Sequence, residues 1–143
     1  MARRLNEFPW MPIAIGELGE AELEGPGDNP RIAEYLRSTT LPPAMADQDE
    51  TPWCSGFVNW CVEQSGLEGT RSAAAISWMA WGKPVAAPRQ GCVAVFTREG
   101  GNHVAFYLEQ VGGLIYVLGG NQGDRVSING YPRSRLRGFR VPA

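Results

Sequence analysis

The chain has a single histidine among its 143 residues and only three cysteines. Three thiols cannot all pair with one another, and none of their spacings is that of a disulfide framework. Cys54 and Cys61 lie two helical turns apart, roughly 10 Å along an axis, which is farther than a disulfide reaches. No two cysteines stand two to four residues apart, the usual sign of a zinc site. All three therefore read as thiols of a protein made in a reducing compartment, and no metal or other cofactor is expected. Apolar residues never run long enough to span a bilayer. The paired Arg3 and Arg4 lack the apolar core of an export signal, because Glu7, Pro9, Pro12 and Glu17 interrupt it. Thirteen basic and fifteen acidic residues leave a net charge of −2, which excludes a general attraction to nucleic acid or anionic membrane. The glycine-rich stretch 119–123 has no Lys-Ser/Thr of a phosphate loop. The expectation is one compact domain over residues 1–143 that uses no nucleic acid, nucleotide or membrane insertion.

Eighteen glycines and eleven prolines promise many tight turns, and the apolar period changes midway. Trp10, Ile13, Ala14, Leu18 and Ala21 repeat at helical spacing, with Pro9 and Pro12 tolerable in a first turn. Asn29 caps a second helix that has Pro30 in its first position and Ile32, Ala33, Tyr35 and Leu36 on its buried face. A loop follows, carrying the acidic Asp47, Asp49 and Glu50. The third helix opens at Cys54, turns Phe57, Val58, Cys61 and Val62 inward, and stops at Gly66. Ser72 is the expected cap of a short fourth helix over Ala73 to Trp81. After the loop 82–91, strands are expected at Cys92–Thr97, Val104–Glu109, Leu114–Leu118, Arg125–Ile128 and Leu136–Val141, separated by glycine turns. Helices first and a strand meander after predict an α+β protein, with N-terminal helices packed on one face of an antiparallel sheet.

Within that frame Cys54 and His103 are two halves of a thiolate–imidazolium pair. A thiol attacks as its thiolate, and a helix N-terminus and a neighbouring imidazolium both favour that form. Backbone N–H groups of the same helical turn are positioned to hold an oxyanion. His103 follows the turn Glu99-Gly100-Gly101-Asn102 and opens a strand. A third group must accept the other ring N–H to orient the imidazole. Asn121, just past the next strand, is the preferred candidate, and Asp124 is the other.

These segments resemble the papain-like cell-wall hydrolases of the CHAP and NlpC-like groups. The resemblance rests on Pro52-Trp53-Cys54-Ser55 with Phe57 and Asn59-Trp60, and on Gly91-Cys92-Val93-Ala94-Val95-Phe96. It continues through Gly101-Asn102-His103-Val104-Ala105-Phe106 and Gly119-Gly120-Asn121-Gln122, and it covers about residues 8–141. It implies a papain-like fold and a cysteine amidase or endopeptidase that cuts an amide bond of the peptidoglycan stem peptide through an acyl-enzyme. Many relatives carry Asp where this chain has Cys92, a position that is usually structural. The same resemblance leaves open a thiol acyltransferase on the same fold, or a wall-binding module with a dead site. A wall enzyme without a leader is expected to be made in the bacterial cytoplasm and to act after specialised secretion, as an antibacterial toxin, or after lysis, as a phage-type lysin. A toxin would be expected to have a cognate immunity protein as partner.

Other residues have competing readings. Trp53, beside the nucleophile, and Trp81, before a loop, are candidates for a substrate groove, whereas Trp10, Trp60 and Trp78 fall on apolar faces. Asp49 and Glu50, with Asp47, are candidates for binding the free amine of a stem peptide, although such a run is more often a solvated loop. Gln48 stands six residues before Cys54, an offset at which papain places its oxyanion-hole glutamine. Cys61 and Cys92 read as packing. Arg133, Arg135 and Arg137 alternate along an expected terminal strand, where such charges usually guard a sheet edge.

Overall fold

The computed structural model describes residues 8–22, 29–40 and 53–143. Among the described residues three α-helices come first: α1 (Met11–Gly16), α2 (Pro30–Arg37) and α3 (Cys54–Gln64). A 3₁₀ helix, Ala75–Ala80, leads into six strands, β1 (Lys83–Val85), β2 (Val93–Arg98), β3 (Gly101–Val111), β4 (Leu114–Gly119), β5 (Ser127–Pro132) and β6 (Leu136–Val141). The strands form one antiparallel sheet in the order β1-β6-β2-β3-β4-β5. Among the described residues no helix is long and apolar enough to cross a membrane. The α+β architecture read from the change of period is therefore the observed one.

Local chemistry accounts for each helix. The Asn29 side-chain oxygen accepts from the Arg31 N–H at 2.8 Å and Pro30 fills the first turn, so α2 starts where the cap predicts and buries Ile32, Ala33, Tyr35 and Leu36. In α3, Cys54 through Asn59 and then Cys61 and Val62 are all buried, which makes it a central helix rather than an amphipathic surface one. Gly56 is where α2 crosses it: an added Cβ would stand 3.0 Å from the Tyr35 carbonyl oxygen. The first helix is shorter than its apolar repeat suggests. It ends at Gly16, Leu18 is exposed, and Gly19 at φ +99° redirects the chain so that Ala21 bridges Arg125. The fourth helix is a 3₁₀ helix, because Ala75, Trp78 and Trp81 recur every three residues and so share one face.

The sheet departs from a simple meander. β6 lies between β2 and the short β1, a strand hidden in the sequence by its length and by Pro84. To pass from β5 to β6, the chain crosses the sheet through a second 3₁₀ turn, Arg133–Arg135, so only Arg137 of the three alternating arginines lies in a strand. The sheet coils enough for the Tyr131 ring of β5 to lie 5.3 Å from Phe96 of β2 and 5.1 Å from His103 of β3. Both faces are thereby covered, which is why Val93–Phe96 is one apolar run. By strand alternation, Val93, Val95, Val104 and Phe106 share the helix side, where Phe106 meets Phe57 and Trp10. Ala94, Phe96, His103 and Ala105 share the other.

Candidate active site

Cys54 is the first residue of α3, 4% exposed, with Trp53 in the cap position. Its sulfur is met by the backbone N–H of Val104 and by those of Ser55 and Cys54 itself. Strand geometry explains why Val104 has an N–H to give. Tyr107 uses its N–H and C=O on β2, donating to Cys92 at 2.8 Å and accepting from Gly91 at 2.7 Å. Every second residue then faces β2, and Val104 faces β4. The β3–β4 ladder reaches only Phe106 opposite Leu118, so the Val104 N–H lies past its end and the thiol occupies the gap.

His103 is 1% exposed. Its Nε2 lies 2.8 Å from Gln122 Oε1, while its Nδ1 is buried with no hydrogen-bond partner among the described residues. The Gln122 amide is held the right way round by its other end, since its Nε2 donates to the Ser127 carbonyl at 2.7 Å and Ser127 Oγ donates to the Gln122 carbonyl at 2.9 Å. An amide that spends its NH₂ on a carbonyl can only accept from the imidazole. The proton of His103 therefore sits on Nε2, and Nδ1 carries the free lone pair. Gly119 makes this contact possible, because a Cβ there would stand 2.8 Å from Gln122 Oε1 and 2.7 Å from the Ala105 Cβ.

The orienting contact expected at Asn121 is thus made by its neighbour. Asn121 adopts a left-handed backbone, φ +59°, which breaks the alternation at the end of β4 and turns Gln122 inward, 4% exposed. Asp124, also left-handed, is exposed, and its carbonyl accepts from the Glu22 N–H. The charge state also differs from the expected ion pair. Burial pushes the Cys54 thiol up, against the Val104 N–H and the charge of Arg98. Burial lowers His103 to about 4, against its hydrogen bond to Gln122. A helix terminus contributes about 1 kcal/mol or less and buried charges cost several, so the resting pair is neutral thiol and neutral imidazole.

Trp53 is not a groove residue. It is fully buried, stacks on Tyr35 at 5.7 Å and donates from its indole to Glu22 at 2.9 Å. It packs under Gly120, whose Cβ would collide with it and with Phe57, and so presses the end of β4 onto the start of α3. Trp81 is half-buried against Trp10 and Trp78, with its indole donating to the Glu68 carbonyl, and no hydrogen bond or ring contact joins it to Cys54 or His103. Asp47, Gln48, Asp49 and Glu50 lie outside the described residues. Cys61 and Cys92 are buried free thiols, both pushed up by burial, Cys92 to about 11. Among the described residues no group of three His, Cys, Asp or Glu side chains is placed to hold a metal.

Sequence reasoning missed the Ser55–Asn59 network under the cysteine. Ser55 Oγ donates to the Ser72 carbonyl at 2.7 Å and accepts from the Trp78 indole at 2.9 Å. The Asn59 amide donates to the carbonyls of Ser55 and Ser72, and its oxygen accepts from the Arg71 N–H at 2.8 Å. The i,i+4 spacing of these two polar residues on an otherwise buried helix was the available signal.

The comparisons agree with this fold. Among solved structures the chain is similar to the peptidoglycan hydrolase RipB of Mycobacterium tuberculosis, at 18% identity and a TM-score of 0.59 over 96% of this chain and 64% of that one. It is similar to a P60 domain from an antigen of M. avium subspecies paratuberculosis, at 14% identity and a TM-score of 0.60 over 99% and 95%. It is also similar to M. tuberculosis RipD, described as a non-catalytic NlpC/p60 domain protein adapted to peptidoglycan binding, at 19% identity and a TM-score of 0.55 over 92% of each chain. The chain spans only 41% of a similar NLP/P60-family lipoprotein of Staphylococcus aureus. No curated protein matches it in sequence. A sequence model of the CHAP domain matches residues 46–121, more than half the chain and including Cys54, His103 and Asn121, and the protein belongs to the CHAP domain family.

Proposed function

We propose that the protein hydrolyses an amide bond of the peptidoglycan stem peptide, with Cys54 as nucleophile and His103 as general base and then acid. One observation carries this reading: a buried imidazole with Nε2 committed to Gln122 and Nδ1 left unpartnered, one residue from the N–H that meets the Cys54 sulfur. Evolution of a fold does not leave a buried acceptor empty without cost, and such a vacancy fits a group that takes a proton during reaction.

The thiol gives its proton to Nδ1 as sulfur attacks the carbonyl carbon, so that charge separates only when substrate is present. The oxyanion forms beside the first N–H groups of α3. Collapse breaks the C–N bond, and the amine leaves with the proton from Nδ1. Water then takes the place of the amine and hydrolyses the thioester by the same steps in reverse order. Gln122 keeps the ring in its Nε2–H tautomer and, being neutral, favours the imidazolium through one hydrogen bond that burial outweighs, which fits a base that is neutral at rest.

The test is a digest of purified sacculi by the wild type and by Cys54→Ala, with products identified by mass spectrometry. Products from the wild type alone support the reading, and their masses name the bond. Sacculus binding without products, in a folded wild type, would instead fit the module role that RipD's description assigns to RipD. Thioester formation that turns over only with an added amine would point to acyl transfer.

A further inference from the structure

We propose that Arg98 forms an anion subsite beside Cys54 and His103, which takes a carboxylate of the peptide next to the scissile amide; this rests on the reading of the site as an amide hydrolase. Phe96 is paired with His103 and Arg98 with Gly101. Arg98 therefore lies two residues beyond Phe96 on the face that carries the imidazole, a diagonal neighbour at about 7–8 Å between backbones. A carboxylate held on that guanidinium would therefore lie beside the imidazole, on the same face of the two strands.

The surroundings leave the position free for a ligand. Arg98 is half-buried, yet its guanidinium makes no hydrogen bond or ion pair among the described residues, not even with Glu99 beside it. In the helical part, by contrast, Arg31 pairs with Glu17 and Glu34, and Arg71 with Glu63. The residues across the turn, Gly100 and Gly101, carry no side chains, and a Cβ at either would meet nothing within 4 Å. The charge of Arg98 reaches three elements of the site, acting on Cys54, His103 and Tyr131. The strand half supports an anionic ligand as a whole: residues 83–143 hold eight basic and three acidic residues, against five and twelve in residues 1–82. Arginine is the side chain that grips a carboxylate in two parallel hydrogen bonds.

The experiment compares two stem-peptide fragments that differ only in whether the carboxyl group beside the scissile amide is free or a carboxamide. The wild type should prefer the free carboxylate. Arg98→Gln should erase that preference, raising KM for the carboxylate about tenfold or more beyond any change for the carboxamide. Arg98→Lys should restore part of it. An unchanged preference in Arg98→Gln, or an equal loss on both peptides, would overturn the subsite. If the wild type cuts neither peptide, the hydrolase reading fails, and the subsite is judged on alkylation of Cys54 by iodoacetate and iodoacetamide, with the labelled residue identified by mass spectrometry. Thiolate displaces iodide in both, so a several-fold fall in the iodoacetate-to-iodoacetamide rate ratio in Arg98→Gln supports the anion site, and an equal ratio overturns it.

Discussion

The two sides of the site are built to opposite specifications. On the α3 side, the buried polar groups beneath Cys54 are matched: the Ser55 hydroxyl, the Asn59 amide and the Trp78 indole satisfy one another and the loop carbonyls around them. On the β3 side, and among the described residues, His103 holds one buried nitrogen with no hydrogen-bond partner, and the half-buried Arg98 guanidinium has none. A satisfied network specifies a structure, while an unsatisfied buried group costs stability and is tolerated where it acts on something else. The difference fits the proposed division, in which one side holds the site and the other reacts.

The largest effects should separate the two. His103→Ala removes the base and should lower amide cleavage by about 10²-fold or more, with a cooperative unfolding transition retained. Asn59→Leu should do the reverse. It leaves the Arg71 N–H without its acceptor and the Ser72 carbonyl with the Ser55 hydroxyl alone, at about 2 kcal/mol, while the surviving folded fraction cuts at a near-normal rate per molecule. Urea unfolding and sacculus assays on both variants test this, and a His103→Ala protein that keeps full activity would dissolve the comparison.

Acid should then strike the reacting side selectively. The folded His103 sits at about 4, below its ordinary 6.5, because burial disfavours the cation. As pH falls, the unfolded chain takes the proton first, so stability from the neutral ring is whole above about pH 6.5 and is lost between there and pH 4. The loss is about 3 kcal/mol in all. Carboxylates titrate in the same range, so the measure is the difference in urea midpoint between wild type and His103→Gln across pH 7 to 4. It should narrow as pH falls. The acid limb of kcat/KM should likewise lie nearer pH 4 than pH 6.5, and a limb at 6.5 would mean that the imidazole is better solvated than its burial implies.

Gln122→Ala should come next, since it deletes the hydrogen bonds to His103 and to the Ser127 carbonyl and frees the ring to rotate. The expected loss is about tenfold in kcat, the equivalent of about 1.4 kcal/mol, with KM little moved. A loss shared with KM would assign Gln122 to substrate binding instead.

Much of this arrangement was legible beforehand, for reasons that differ by element. The Asn29-Pro30 start of α2, the inward face of α3 and the bounds of β6 follow from caps and periods that tertiary contacts do not override. Cys54 and His103 stood out through scarcity and placement. β1 did not, because three residues including a proline carry no period. β5 was misplaced, because Asn129-Gly130 carries turn chemistry yet lies inside a strand of mixed exposure. Trp53 looked like a groove residue because sequence proximity to Cys54 says nothing of Tyr35, Glu22 and Gly120 closing over it.

The smallest expected effect sits one residue from a large one. A single left-handed residue at the end of a strand reverses which side the next side chain takes, just as a one-residue slip in register would. Asn121 is that residue, φ +59°, and among the described residues the hydrogen bond to His103 comes from Gln122 rather than from its side chain. Glycine adopts the same backbone without strain, so Asn121→Gly should leave kcat/KM within about twofold and the urea midpoint within a few tenths of a kcal/mol in free-energy terms. Asn121→Val, whose branched Cβ resists a left-handed backbone by about 1–2 kcal/mol, should instead mimic Gln122→Ala by tilting Gln122 away from the imidazole. Equal kinetics in Asn121→Gly and Asn121→Val would mean that the position of Gln122 does not depend on the turn. A large loss in Asn121→Gly would return the orienting role to the asparagine itself.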